Sequence, residues 1–136
     1  MQMKKIATIP VVAAAILMLA SFQKKPAFDL KASIARGKEV YTAQCLTCHM
    51  EFGEGADGVY PPLAKSDFLM ADKKRSITTI FKGLTGKIVV NGITYETDMA
   101  ALDLKDEDVS DVLNFIRNSW GNKGEVVRPE EVKALR

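Results

Sequence analysis

Cys45-Leu46-Thr47-Cys48-His49 sets two thiols three positions apart with an imidazole directly after the second. The pentapeptide uses both cysteines and the single histidine of the 136-residue chain. Each step of it answers a requirement of a covalently held porphyrin. Thiols at this spacing can add to the two vinyl groups on one edge of the ring, and the adjacent imidazole then reaches the iron from one face. Tethering keeps that imidazole at high local concentration, which suits a carrier that must not lose its cofactor. One covalently attached haem c is therefore expected, with Cys45, Cys48 and His49 binding it and His49 as an iron ligand.

Three other readings compete for these five residues. A structural zinc site needs four protein ligands, and cysteine and histidine together supply three here. A thioredoxin-like redox pair would follow a strand, whereas the residues before Cys45 read as helix. A Cys45–Cys48 disulfide suits an oxidising compartment but leaves His49 without a role.

The motif must be carried by the elements around it. From Ile34 to about Cys45 there is no proline, and Gly37, Tyr41 and Cys45 recur at steps of four, with Ile34 and Val40 flanking the same side. Glycine is mildly unfavourable inside a helix, so its presence predicts close approach of a second helix. Asp106 to Trp120 is the candidate: Val109, Val112, Leu113, Ile116 and Trp120 form an apolar face at helical period, acidic residues occupy the first turn, and Gly121 and Asn122 are stop signals. Ser76 to Leu84 shows the same rhythm over a shorter span. Ile88 to Val90 and Ile93 to Tyr95 predict a hairpin around Asn91-Gly92. Glycines 53, 55 and 58 with Pro61 and Pro62 make the stretch after His49 a loop, expected to wrap one edge of the haem.

Lys4 and Lys5, an apolar run from Ile6 to Leu19 and the small residues Ala20 and Ser21 have the order of a secretory signal. The run is short for a membrane span, which wants about 20 apolar residues. Residues 1–23 are thus expected to be a cleaved signal peptide or, since no clean Ala-x-Ala site is present, an N-terminal membrane anchor. Residues 24–31 read as a flexible linker, and 32–136 as one domain with a C-terminal extension from about 123. Of 19 basic residues two lie in 1–23, where there is no acidic one, leaving 17 of each sign. A near-neutral domain offers no nucleic-acid surface, and partner docking by charge must come from local patches.

In this order of helix, Cys-x-x-Cys-His, loop, short helix, hairpin and terminal helix, the chain resembles class I cytochrome c from about Ala32 onward. It is especially similar to small monohaem bacterial cytochromes that occur as subunits or domains of periplasmic dehydrogenases and copper nitrite reductases. Tyr60-Pro61-Pro62-Leu63-Ala64, Gly83-Leu84-Thr85-Gly86, Val90-Asn91-Gly92, Asn118-Ser119-Trp120-Gly121-Asn122 and Val127-Arg128-Pro129-Glu130-Glu131-Val132 carry that likeness. The resemblance implies an all-α cytochrome c fold, three to five helices around one haem with a short hairpin. It implies a methionine as second axial ligand. Met50 is too near His49 to cross the haem plane, Met70 reads as core filler in Phe68-Leu69-Met70, and Met99 lies where the family places its ligand. Ala100 stands where the family usually has proline, and Lys105 replaces the usual Ser or Thr cap of the terminal helix, so a looser loop is expected. Pro61 matches the position whose carbonyl receives the proximal imidazole N–H. Gly37 and Tyr41 match the helix-crossing positions, with Val112 and Phe115 as partners. Arg75, Tyr95 and Trp120 are within conceivable reach of haem propionates but read first as a solvated charge and core-edge aromatics.

The function so implied is one-electron transfer with His49/Met99 ligation, not enzymatic, as a shuttle in a periplasmic respiratory chain. A dehydrogenase or quinol-oxidising complex would be the donor and a terminal oxidase or reductase the acceptor. The alternatives are an electron-transfer subunit of a larger oxidoreductase, and a five-coordinate haem protein that binds a small ligand.

Overall fold

Helix α1 spans Leu30–Gln44 and begins where the Asp29 carboxylate accepts the Ala32 N–H at 3.0 Å. In this computed structural model residues 27–136 are described, so the expected leader and residues 24–26 of the expected linker lie outside the described residues, while Leu30 and Lys31, read as linker, already belong to α1 because of the Asp29 cap. The helix starts four residues before Ile34, because the Asp29 cap supplies a start that apolar periodicity does not register. The chain barely breaks at Cys45 and runs on as α2, Leu46–His49. Met50, with φ of 63°, ends it.

The loop after His49 is irregular, as expected, and leads into α3, Asp67–Ala71. This turn of helix was not expected, since Phe68-Leu69-Met70 is too short to display a period. Its signal is Ser66, whose hydroxyl accepts the Leu69 N–H at 3.2 Å. Helix α4, Lys73–Lys82, lies a little earlier than periodicity predicts because Asp72 caps it and Gly83 stops it. Strands β1, Ile88–Val90, and β2, Ile93–Tyr95, pair in the expected antiparallel register, with Val90 opposite Ile93. Asn91 and Gly92 both have positive φ, the geometry of a type I′ turn. The hairpin leans on α3 through Asp67, whose backbone N–H and side chain exchange hydrogen bonds of 3.0 and 2.8 Å with Asn91.

Helix α5 spans Asp106–Ile116, four residues shorter than its apolar face, because Trp120 sits in a following turn with φ of 53°. Lys105 gives it no side-chain cap, and three acidic residues in the first turn face the positive end of the helix instead. Helix α6, Pro129–Lys133, closes the chain's path back over the core. Six helices stand among the described residues; the excess over three to five is made of single-turn pieces. The mostly helical architecture with its short hairpin is the arrangement that the resemblance implies.

The core is Tyr41, Ile77, Ile80, Val109, Val112, Leu113, Ile116, Val127 and Val132. Its frame is the α1–α5 packing, the most extensive between any two elements. At the crossing a Cβ on Gly37 would stand 1.9 Å from the Asp111 carbonyl oxygen and 2.9 Å from the Phe115 Cβ. Backbone therefore meets backbone there: Asp111, with Phe115, makes the nearest approach to Gly37, and Phe115 also packs on Tyr41. Beside it the buried Asp111 carboxylate accepts the Ser33 hydroxyl at 2.5 Å and the Arg36 guanidinium at 2.5 and 2.8 Å. Alanine is the better helix former by about 1 kcal/mol, but the clash is with a carbonyl held in a helix and cannot be relieved by a side-chain rotation. We expect Gly37→Ala to destabilise the loaded protein by about 3 kcal/mol, read from guanidinium unfolding midpoints. An unchanged or raised midpoint would show that the helices do not touch here.

Candidate functional site

The thiols of Cys45 and Cys48 sit on one helical turn, and both residues line an apolar cavity of about 390 Å³. His49, Pro61 and Met99 line the same cavity, so all five residues singled out in the sequence converge on it. Its walls are aliphatic, built from Leu63 and Leu69 on one flank and Val112, Leu113 and Ile116 of α5 on another. Of the three methionines among the described residues, Met99 alone lines it; Met50 and Met70 do not.

His49 is delivered by the last turn of α2, and its Nδ1 lies 2.9 Å from the Pro61 carbonyl oxygen. A carbonyl can only accept, so Nδ1 carries the hydrogen and Nε2 is left with its lone pair. Burial pushes the imidazole below its usual range, partly offset by the Pro61 hydrogen bond, so the ring is neutral at neutral pH. That is the form a metal can use. Burial, reinforced by the neighbouring Cys48 thiol, raises Cys45 to about 11. The pair follows helix α1 rather than a strand, which is not the setting of a thioredoxin-type pair.

The Pro61 carbonyl is aimed by a brace that sequence reasoning saw only as a motif. Asn122 donates to the Leu63 and Ile116 carbonyls at 2.9 and 2.8 Å and accepts the Lys65 N–H at 2.9 Å, tying the loop to the end of α5. Trp120 backs the same loop: its ring lies 2.6 Å from where a Gly53 Cβ would stand and 5.1 Å, centroid to centroid, from Tyr41. The run from Asn118 to Asn122 thus holds the loop that orients the imidazole. A lone asparagine after a helix gave no sign of this.

Met99 is fixed by a device that compensates for Ala100. Its N–H donates to the Leu84 carbonyl at 2.8 Å and its carbonyl accepts the Leu84 N–H at 2.9 Å, a two-bond antiparallel bridge. Gly83, with φ of 74°, makes the approach possible, since a Cβ there would lie 2.6 Å from the Met99 carbonyl oxygen. The expected looseness is therefore reduced on the N-terminal side of the loop. The available sequence signal was Gly83 just past a helical run, readable as a stop but not as a strand contact.

The three outlying candidates stand apart. Arg75 lies over the Phe68 ring at 3.7 Å and donates to the Phe68 carbonyl, and Trp120 belongs to the aromatic cluster with Tyr41 and Phe115. Neither these two nor Tyr95 lines the cavity. Arg75 Nε and the Tyr95 hydroxyl are buried without a protein hydrogen-bond partner.

The donor set fits a tethered metalloporphyrin. Two thiols, a neutral imidazole with a free Nε2 and a thioether surround a mainly apolar space with a few polar residues in its lining, among them Thr79 and Asp98, which a flat, largely apolar macrocycle can fill.

Comparison with known proteins agrees. The family model described as "Cytochrome c" matches residues 34–120. "Cytochrome c-552" of Thermus thermophilus is 39% identical over 112 aligned residues, covering 75% of this chain and 85% of that protein. The "Alcohol dehydrogenase (quinone), cytochrome c subunit" of Gluconobacter oxydans is 30% identical over 110 residues, 74% of this chain but 22% of that subunit. The "Gluconate 2-dehydrogenase cytochrome c subunit" of Pantoea cypripedii is 33% identical over 105 residues, 74% of this chain and 24% of that subunit. With the Cys45-to-His49 turn, the haem-sized apolar cavity and the family match in agreement, the chain belongs to the cytochrome c family and is an electron-transfer protein carrying covalently bound haem c.

Proposed function

We propose that the chain is a one-electron shuttle of a periplasmic respiratory chain, with haem c held by thioethers from Cys45 and Cys48 and its iron ligated by His49 and Met99. The observation that carries this reading is that Met99, alone of the described methionines, shares a cavity with Cys45, Cys48 and His49. Bound there, haem c would supply a one-electron iron couple, and with His49 and Met99 holding it the site would pass an electron without admitting a substrate.

The chain's own residues have four tasks. Cys45 and Cys48 tether; each keeps its sulfur as a thioether after the S–H adds across a vinyl group. His49 presents Nε2, and the Pro61 carbonyl, by taking the Nδ1–H at 2.9 Å, fixes the ring plane and raises its basicity. The Met99 thioether and the aliphatic walls favour the less charged ferrous form and so raise the reduction potential relative to an exposed bis-histidine centre. Leu63, Leu69 and the α5 face exclude water, which keeps reorganisation small when the charge changes.

Donor and acceptor are proposed to be a dehydrogenase or quinol-oxidising complex and a terminal oxidase or reductase, meeting the protein through a small transient contact. A second reading, an electron-transfer subunit of a larger oxidoreductase, is favoured by the dehydrogenase subunits among the relatives. Co-purification of a dehydrogenase with the chain at native expression separates the two. Export rests on the order of charged, apolar and small residues over 1–23. Among the described residues no helix is long and apolar enough to cross a membrane.

Met99→Ala tests the ligand. The oxidised variant should turn high-spin, lose the long-wavelength sulfur-to-iron charge-transfer band and, once reduced, bind CO readily, while wild type does not. If wild type is already high-spin and binds CO, the shuttle reading fails and a five-coordinate ligand-binding protein replaces it. Gly83→Ala should weaken the same bond without removing it, giving a mixture of spin states and a lowered potential, because the added methyl collides with the Met99 carbonyl. For the tether, intact mass of protein made in attachment-competent cells should show one added haem, absent from the Cys45→Ser/Cys48→Ser variant. A wild-type mass equal to the bare polypeptide would refute covalent attachment.

A further inference from the structure

We propose that Arg136 is a positioning residue for Met99, clamping the segment between Met99 and α5 from the side opposite the Leu84 bridge; this rests on Met99 being the iron ligand. The observation is a contact across 30 residues: Arg136 Nε lies 2.6 Å from the Asp106 carboxylate, and Nη2 donates to the Leu104 carbonyl. The same guanidinium sits 4.8 Å from the Phe81 ring centroid. One side chain thus joins the start of α5, the residue before its cap and the end of α4.

The segment it grips packs Leu102 and Leu104 against the core but has few backbone ties. Among the described residues, the backbone hydrogen bond linking 100–104 to another element is Leu102 N–H to the Ile80 carbonyl at 2.8 Å. Ala100 provides no fixed φ, and Lys105 provides no side-chain cap for α5. A planar fork that takes a backbone carbonyl and a carboxylate at once supplies both restraints, which a lysine point charge cannot.

Arg136 can act as a clamp because the strand of chain that carries it is itself anchored. Val127 is fully buried, its N–H donates to the Asn114 side-chain oxygen at 2.8 Å, and its carbonyl accepts Asn114 Nδ2 at 2.8 Å and the Ser110 hydroxyl at 2.9 Å. Lys73 adds an ion pair of 2.6 Å to Glu131 and a hydrogen bond of 3.3 Å to the Val126 carbonyl. Val132 is buried in the core and Leu135 packs against it. Residues 126–136 therefore form a strap nailed to α5 and α4, with Arg136 reaching over the methionine segment. An ordinary exposed ion pair would contribute little; here the bond to the Leu104 carbonyl makes the side chain a restraint on backbone position.

Departure of Met99 from the iron is what a small competing ligand must await, so imidazole binding to the oxidised, haem-loaded protein reads the restraint directly. At saturating imidazole, Arg136→Ala should raise the limiting rate about five-fold, and Arg136→Lys should recover less than half of the difference. Amide exchange should quicken at Leu102 and stay unchanged at Val127. Ile77→Ala, a core residue outside both the strap and the cavity lining, is the comparison for a purely structural effect: it should lower the unfolding midpoint without raising the limiting rate. An Arg136→Ala rate and Leu102 exchange equal to wild type would overturn the proposal, as would an Ile77→Ala rate increase as large as that of Arg136→Ala. Met99→Ala should bind imidazole with no limiting step; if it saturates at the wild-type rate, the Met99 assignment itself has failed, whatever Arg136 does. Should Arg136→Ala not fold, Asp106→Asn carries the same expectation with the fork reduced by one partner.

Discussion

Contact between α1 and α5 without an intervening side chain is the constraint on which the rest depends. Gly37 lets the Asp111 carbonyl come to 1.9 Å of a would-be Cβ, so the separation of the two helices is set by backbone rather than by compressible side chains. One and two turns further along α1 stand Tyr41, buried against Phe115 and Trp120, and then Cys45. The motif helix is thereby delivered to the α5 face at a fixed distance, and the cavity between Cys45, Cys48 and the Val112, Leu113 and Ile116 side chains inherits its width from that crossing. An interior this tightly packed transmits displacement instead of absorbing it.

Polar groups buried along α5 do the fastening. Ser110, Asp111 and Asn114 are each almost fully buried, and each is satisfied by an element remote in sequence: the Val127 carbonyl, the Ser33 and Arg36 side chains, and both backbone groups of Val127. Asn122 does the same for the loop behind Pro61. Buried polar side chains are costly unless paired and specific when they are. α5 therefore holds one wall of the cavity with its aliphatic residues and sets the path of three surrounding segments with its polar ones.

The two proposed iron ligands are mounted unequally. His49 ends a helix, points a defined lone pair and has its second nitrogen engaged by a carbonyl that is itself braced. Met99 stands on an irregular segment and depends on a two-bond bridge with Leu84 and on the close approach at Gly83. A carrier needs both mounts stiff, since any ligand movement on electron transfer adds to reorganisation. The weaker mount is where sequence differences such as Ala100 for proline have room to tune the potential without changing the cofactor.

Sequence by itself determined the chemistry and the main elements. Two cysteines and one histidine within five residues have one economical use, and the apolar period of α5 and the Asn91-Gly92 turn are local signals that need no partner to be read. The likeness to class I cytochrome c then pointed to Pro61 and Met99, and the structure brings both to the cavity that holds the motif. Helix limits were less legible: Asp29, Ser66 and Asp72 moved starts away from the periodic residues, and the turn at Trp120 shortened α5, because caps and turns obey hydrogen bonding rather than hydrophobic period. Only the tertiary structure decided that Leu84 pairs with Met99, that Asn122 steadies the loop behind Pro61 and that Arg136 reaches Leu104. These contacts join residues 15 to 59 positions apart through one or two hydrogen bonds each, and nothing in the neighbourhood of either partner records a bond whose existence depends on how the helices cross.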